Sequence, residues 1–553
     1  MGMNKSSKQS YRPTTMAPKA MITTPHYLAS QAGLNVLQEG GNAVEAAIAA
    51  ASTIGVVYPH MNGVGGDNFW LVYNKKKNEL KALNSSGRSG EKASISFYKN
   101  QGYKKIPSRG ALSANTVPGA VAGWEKAFQY SQAQMKGTFG WDQLLQTSIQ
   151  YAKDGFPVTP SQEYWTNVNQ DPYDNEFRHL QRFSEFQRIF TKSSGLAYRA
   201  GELMKQHDLA LTLEGIASEG SSYLYQGELA KAISQGLQHH GGLLTYQDFR
   251  NHRSDWVDPI SVRYRGYQVY NVPPNSQGFA SLSILNIINN FDLSTIEEGS
   301  ADYYHVLTEA TKRAFSDRDQ YLTDPDFSHI PLDELLSVKR GMDLADSIDF
   351  TRVKNVQKQL DPKGDTIWLG VVDQEGNAVS LIQSIYHEFG SGIIPKGTGI
   401  VLQNRGSFFS LDENHINSLQ PKKRTYHTLN PAMLFKNDEP YLVYGTMGGE
   451  GQPQTQAALV TRILDYDFPI QAAIEAPRWL YGRTWGASSN SLKLEGRIDQ
   501  DVVRDLQSRG HEVEILDDFT DVMGHAGAIK IDQNTGVKFG GADPRGDGAA
   551  LGF

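Results

Sequence analysis

Residues 363–372, Lys-Gly-Asp-Thr-Ile-Trp-Leu-Gly-Val-Val, pass from a charged, turn-prone triplet into a run of β-branched, aromatic and aliphatic residues, and Thr366 stands at the seam. The chain contains no Cys, which removes thiol nucleophiles, thiolate zinc sites and iron–sulfur clusters together. A hydroxyl nucleophile then needs a neighbouring base: a His, a Lys or a free α-amine. The last option has its own sequence form. The Thr must follow an exposed linker and open a core strand, so that cleavage of the preceding peptide bond makes it a new N-terminus. Gly364-Asp365-Thr366-Ile367 has that form, and an α-amine titrating near ~7.7 is a competent base at neutral pH without burial. A plain reading stands beside this one, because β-branched residues are favoured at strand starts whether or not they react.

The surrounding elements must hold such a residue in place. From Ile367 onward the chain reads as hairpins: "IWLGVVD" and "AVSLIQSIY" flank Gln-Glu-Gly-Asn, and "PAMLFKNDEPYLVYG" flanks Asn-Asp-Glu-Pro. Upstream, Leu28, Ala32, Leu34 and Leu37 recur at helical spacing and stop at Gly40-Gly41. Asn42 with Glu45 then forms a capping-box pattern ahead of small apolar residues on every face, which predicts a buried helix. "NFWLVYNKKKNELKALNSS" predicts two strands about a Lys/Asn turn, and the stretch 140–345 is mostly helical in pattern. Residues 346–365 are polar and aperiodic, the best linker, and residues 1–20 read as a disordered polar tail.

Composition narrows the function. A chain of 553 residues with 39% hydrophobic and 20% charged residues is that of a packed globular enzyme. A net charge of -7 with no Lys/Arg block argues against nucleic acid as a partner. The N-terminal stretch lacks an apolar signal region and no segment offers 18 uninterrupted apolar residues, so a cytoplasmic protein with no membrane partner is expected. Gly2 and Ser6 fit a myristoylation pattern too short to carry weight. There is no His-Glu-x-x-His and no Asp-rich calcium loop, and the adjacent His239-His240 cannot face one metal from a helix, so neither metal nor cofactor is expected. "YGTMGGEGQPQ" and "GVGGDNFW" lack the Gly-Lys-Ser/Thr of a phosphate loop. Two readings stay open for them: tight turns that need positive φ, or backbone N–H groups aimed at a developing negative charge.

Read together, the motifs carry a resemblance. "GDTIWLGVVDQEGNAVSLIQS", "FGSGIIPKGTGIVLQNRGSFFS", "KKRTYHTLNPAMLF", "YGTMGGEGQPQ", "EAPRW" and "GGADPRGDGAA", with "GGNAVEAAIAAASTIGVVYPHMNGVGGDNFWLVY" and "ANTVPGAVAGW" upstream, resemble the γ-glutamyltranspeptidases over residues 20–553. The likeness is nearest to the branch that holds YwrD-type proteins and cephalosporin acylases. It implies an α+β fold, the αββα sandwich of N-terminal-nucleophile hydrolases, made as a proenzyme that cuts itself between Asp365 and Thr366. Residues 21–365 become the large subunit and 366–553 the small one, and a homo-oligomer of such units is allowed. By this resemblance Thr366 is nucleophile and base, Ser384 a second hydroxyl that assists it, and Gly448 and Gly449 the oxyanion-hole amides. Asn404 stands at a substrate-contacting position. The donor is glutathione or a related γ-glutamyl amide, or its near variant a glutaryl amide, and the acyl group passes to water or to an amine or peptide acceptor.

Departures from the family pattern bear on the substrate. Ile367 replaces a second Thr. Phe408 stands where an acidic residue grips the donor's α-ammonium, and Arg405 replaces a Gln. His427 and Thr428 replace the paired Ser of the carboxylate site. The family's carboxylate-binding Arg aligns near Ser86, which makes Arg88 the expected substitute, because a guanidinium is the best bidentate carboxylate partner. Glu388 or Glu450 could still reach an ammonium. The alternatives to a γ-glutamyl enzyme are a glutaryl or cephalosporin-type acylase and an unprocessed, non-catalytic binding homologue.

Overall fold

The structure, a computed structural model, describes residues 10–174, 176–354, 365–482 and 489–553. The strand Asp365–Val372 shows why the chain makes a layered sandwich. Ile367, Leu369 and Val371 pack into one core with helices, while Trp368 and Val372 pack into another with a facing sheet. Both faces are covered, so the strand reads as a continuous apolar run.

Two seven-stranded antiparallel sheets result. The first runs, edge to edge, Ala549–Gly552, Met21–Thr24, Asp365–Val372, Ala378–Tyr386, Asp67–Asn74, Glu79–Ser85 and Asp255–Val257. The second runs Thr15–Ala17, Lys538–Ala542, Ala526–Ile531, Glu439–Thr446, Ala432–Lys436, Tyr267–Asn271 and Ile260–Tyr264. Met21, Phe69, Leu71, Trp368, Met433, Phe435, Val443 and Ile529 fill the space between them. The helices Tyr27–Gln38 and Ala43–Val57 cover the outer face of the first sheet, and Gly278–Ile288, Ala301–Tyr321 and Gly451–Leu464 that of the second. This is the expected αββα sandwich.

Local signals act as read. Asn42 accepts from the N–H groups of Val44 and Glu45 while Glu45 accepts from that of Asn42, and the whole helix behind this box is buried. Asn437 and Asp438 both take positive φ, the type I′ hairpin turn. His239 and His240 are exposed.

The expected tail needs correcting. Residues 1–9 lie outside the described residues, but Thr15–Ala17 forms an edge strand on Lys538–Ala542, and Glu475 accepts from the N–H groups of Tyr11 and Arg12. Sheet pairing overrides polar composition there. The helix Val338–Asp346 runs into the expected linker, whose residues 355–364 lie outside the described residues. The segments on either side of Thr366 interleave in both sheets.

Candidate active site

Sheet register brings the first site residues together. Asp365 pairs with Tyr386 and Ile367 with Gln383, so Ser384 and Ile385 stand opposite the single residue Thr366. Such a bulge bends the strand and re-aims its side chains. Ser384 in turn pairs with Asp67 on the next strand, which lines up Thr366, Ser384 and Asp67 across three neighbours. Thr366 is 1% exposed and Ser384 0%. Gly66 lies against this row with ordinary negative φ; a Cβ there would collide with the Ser384 carbonyl, so close approach explains this glycine rather than a positive-φ turn.

The facing sheet supplies the Gly-rich turn. Trp368 lies over Gly445 and Gly527, where any Cβ would strike the indole, and its Nε1 donates to Ser380 Oγ at 2.9 Å. Trp368 is two residues past Thr366 and Gly445 three before Gly448, so this contact joins the strand that carries the seam to the strand that leads into the turn. Gly448 and Gly449 have φ of 118° and 51°, a backbone only glycine takes freely. Gly451 N–H donates to the Gly448 carbonyl at 2.7 Å. A trans peptide points its N–H opposite its C=O, so the Gly449 N–H is turned away from that bond. The turn opens the helix Gly451–Leu464, whose positive end favours an anion.

Arg405 is the electrostatic centre. It is 1% exposed, its guanidinium lies 4.4 Å from the Tyr386 ring centroid and 4.8 Å from that of Phe408, and Nη2 donates to Ser384 Oγ and Nη1 to Thr428 Oγ1, each at 3.4 Å. Its Nε has no partner and, among the described residues, no carboxylate lies within ion-pair distance of it, although Asp67 acts on it from further off. Burial lowers its pKa to about 10, which leaves it charged at neutral pH. Phe408 stacks on Tyr426 at 4.5 Å and packs on Tyr386 at 4.2 Å, so it walls the guanidinium with aromatic surface.

His427 and Asp67 complete the cluster. His427 Nε2 lies 3.1 Å from Asp67 Oδ2, and Nδ1 is buried without a partner. Burial and Arg405 hold the imidazole well below its usual pKa, hence neutral. Asp67 Oδ1 accepts from the N–H groups of Gly87 and Gly119. Burial nevertheless pushes its pKa up to about 7, against the pull of Arg405 and those bonds. The folded state therefore keeps a proton that the unfolded chain releases near pH 4, and the associated stability is lost as pH rises from about 4 to about 7. Asp67→Asn removes this slope: the wild-type melting temperature, relative to the variant's, should fall across that window by the equivalent of roughly 3–5 kcal/mol. Parallel melting curves for the two proteins would refute the assignment.

The remaining expected residues lie as follows. Asn404 braces backbone: Oδ1 accepts from His387 N–H at 3.0 Å and Nδ2 donates to the Ser108 carbonyl at 2.6 Å. Arg88 is not in the cluster; it pairs with Asp324 at 3.2 Å and Asp326 at 2.8 Å and lines a separate cavity of about 340 Å³ with His252, Arg253 and Lys422. Glu388 and Glu450 are each held by a buried arginine, Arg109 and Arg318. Asp67, Tyr386 and Tyr426 escaped the sequence reading. Asp67 had a faint signal in "GVGGDNFW"; the two tyrosines had none. Among the described residues no group of three or more His, Asp or Glu could hold a metal ion, and no helix is long and apolar enough to cross a membrane.

A hydroxyl residue at the start of a central strand, in a sandwich of two antiparallel sheets whose second sheet runs into a glycine turn at a helix N-terminus, is the layout of N-terminal-nucleophile hydrolases. The chain belongs to the gamma-glutamyltranspeptidase family, whose profile matches residues 29–553. It is 46% identical over 545 residues to the glutathione hydrolase-like YwrD proenzyme of Bacillus subtilis, covering 98% of this chain and 99% of that protein. It is 44% identical over 540 residues to the oxamate amidohydrolase proenzyme of Klebsiella pneumoniae, with the same coverage of 98% and 99%. The cephalosporin acylase from Bacillus halodurans superposes with a TM-score of 0.88 at 36% identity, covering 100% of this chain and 99% of that one. The protein is an enzyme of this proenzyme family, a hydrolase or acyltransferase.

Proposed function

We propose that the chain cuts itself before Thr366 and then hydrolyses small amides whose acyl group carries a carboxylate bound by Arg405, with an α-ammonium on the donor contributing little. The observation that carries this is the buried guanidinium, without a carboxylate partner, 3.4 Å from Ser384 Oγ. A desolvated, unpaired cation is costly, and a substrate carboxylate relieves that cost with a charge-assisted bond. Arg405 thus takes the role expected of Arg88. Thr428 Oγ1 lies within its reach, and neutral His427 adds no positive charge that would draw the carboxylate elsewhere. Glu388 and Glu450 are committed to arginines, which leaves an α-ammonium poorly served. The names of the relatives agree with this chemistry: oxamate is an amide that bears a carboxylate and no ammonium.

In the reaction the α-amine of Thr366 takes the proton of its own hydroxyl, and Oγ attacks the amide carbon. Negative charge gathers on the carbonyl oxygen, toward the Gly448–Gly449 amides. The C–N bond breaks as the amine leaves with that proton. Water, or an amine acceptor, then attacks the ester and restores Thr366. Ser384 Oγ, which already accepts from the Tyr386 N–H at 2.8 Å, orients the attacking hydroxyl.

The test compares kcat/KM for γ-glutamyl and glutaryl anilides with one leaving group. Loss of an ammonium contact worth about 1.5–3 kcal/mol should leave a γ-glutamyl preference of no more than about tenfold. A preference above about a thousandfold would mean that the ammonium has a dedicated partner.

A further inference from the structure

Gln277 is fully buried and its side-chain amide stands at a three-way junction. Its Nε2 donates to two carbonyls, that of Thr428 at 2.9 Å and that of Gly449 at 2.9 Å. Its Oε1 accepts from Arg318 Nη1 at 3.3 Å, and Arg318 Nη2 donates to Glu450 Oε1 at 2.9 Å. Thr428 borders the Arg405 guanidinium, and Gly449 belongs to the glycine turn. One amide therefore spans the pocket that would hold the carboxylate and the turn that would hold the oxyanion. The backbone strengthens the link: Gln277 N–H donates to the His427 carbonyl at 2.8 Å, and His427 N–H donates to that of Asn275 at 2.7 Å. Gln277 and Arg318 precede Thr366 in the chain, whereas Thr428, Gly449 and Glu450 follow it, so after cleavage the large subunit would grip both halves of a site carried by the small one.

We propose that Gln277 is a positioning residue that registers the carboxylate pocket against the oxyanion turn. The inference rests on the reading of Arg405 above. A substrate pinned at its carboxylate has its carbonyl placed by the distance between the two features, and a misplacement of about 1 Å is enough to cost a large factor in rate. A substrate without the carboxylate is free to settle on the turn by itself. Gln277→Met keeps length and burial but removes both donors; Gln277→Glu also removes them while keeping the acceptor for Arg318.

The experiment measures kcat and KM of wild type and both variants on glutaryl and butyryl anilides. Expected is a fall in kcat on the glutaryl substrate of about thirtyfold, with its KM within about threefold, and a fall of no more than about threefold on the butyryl one. Equal losses on both substrates, or a glutaryl kcat within about twofold of wild type, would overturn the inference. Wild-type enzyme without a preference for glutaryl would overturn the Arg405 reading and this inference with it, whereas a preference that both variants keep overturns this inference alone. If neither variant cuts itself, both substrates lose activity alike and the inference is overturned: an unchanged melting temperature then assigns Gln277 to the cleavage step. A collapsed one makes Gln277 merely structural.

Discussion

Thr366→Ala should remain a single chain and lose activity by at least about ten-thousandfold, because it removes the attacking oxygen itself rather than an aid to it. Wild-type protein, by contrast, should resolve by intact mass into fragments 1–365 and 366–553. The expectation rests on placement. Thr366 sits at a bulge opposite Ser384 and is buried, two residues before the Trp368 that packs on Gly445 of the facing sheet. Removing one methyl and one hydroxyl at a strand start should leave the sandwich standing, so the variant also supplies an intact uncut protein for comparison. Wild-type chain that stays full length on prolonged incubation and still hydrolyses an anilide would refute the N-terminal threonine mechanism. Thr366→Ser should keep both cleavage and turnover, since the oxygen and the amine remain.

Arg405→Leu carries the second large effect. Loss of a charge-assisted, desolvated carboxylate contact of about 3 kcal/mol should lower kcat/KM on a glutaryl anilide by roughly a hundredfold, while a butyryl anilide changes by less than about threefold. Arg405→Lys should recover part of the loss only, since an ammonium offers a point charge without the planar fork or the stack between Tyr386 and Phe408. Because the guanidinium has no carboxylate partner among the described residues, its removal relieves a desolvation cost, and the Leu variant should melt no lower than wild type. An equal loss on charged and uncharged substrates would remove Arg405 from the carboxylate role.

The relatives sharpen what these experiments distinguish. A glutathione hydrolase-like proenzyme, an oxamate amidohydrolase proenzyme and a cephalosporin acylase share the scaffold. The family therefore fixes the nucleophile chemistry more tightly than the acyl group. In this chain Tyr386 and Phe408 pack against the Arg405 cation and Tyr426 stacks on Phe408.

Local physics made much of this legible before any coordinates. Period-two apolar runs about Asn437-Asp438 could only be a hairpin, and the Asn42–Glu45 capping box could only start a helix, because these signals act within a few residues of one another. The seam at Thr366 and the glycines at 448 and 449 likewise stand out by residue type alone. Arg88 and Arg405 could not be told apart in this way. Both are arginines in polar surroundings of the sequence, and which of them meets a substrate depends on partners far along the chain: Asp324 and Asp326 engage Arg88, while Tyr386, Phe408 and Ser384 surround Arg405. The same holds for Asp67, which meets His427 across 360 positions, and for Gln277, which reaches Gly449 across 172. Sequence by itself determined the helix cap, the hairpin turn and the strand-opening seam at Thr366, since each follows from neighbours in the chain. Only the tertiary structure decided which buried charges lack an ion-pair contact, because such contacts are set in space.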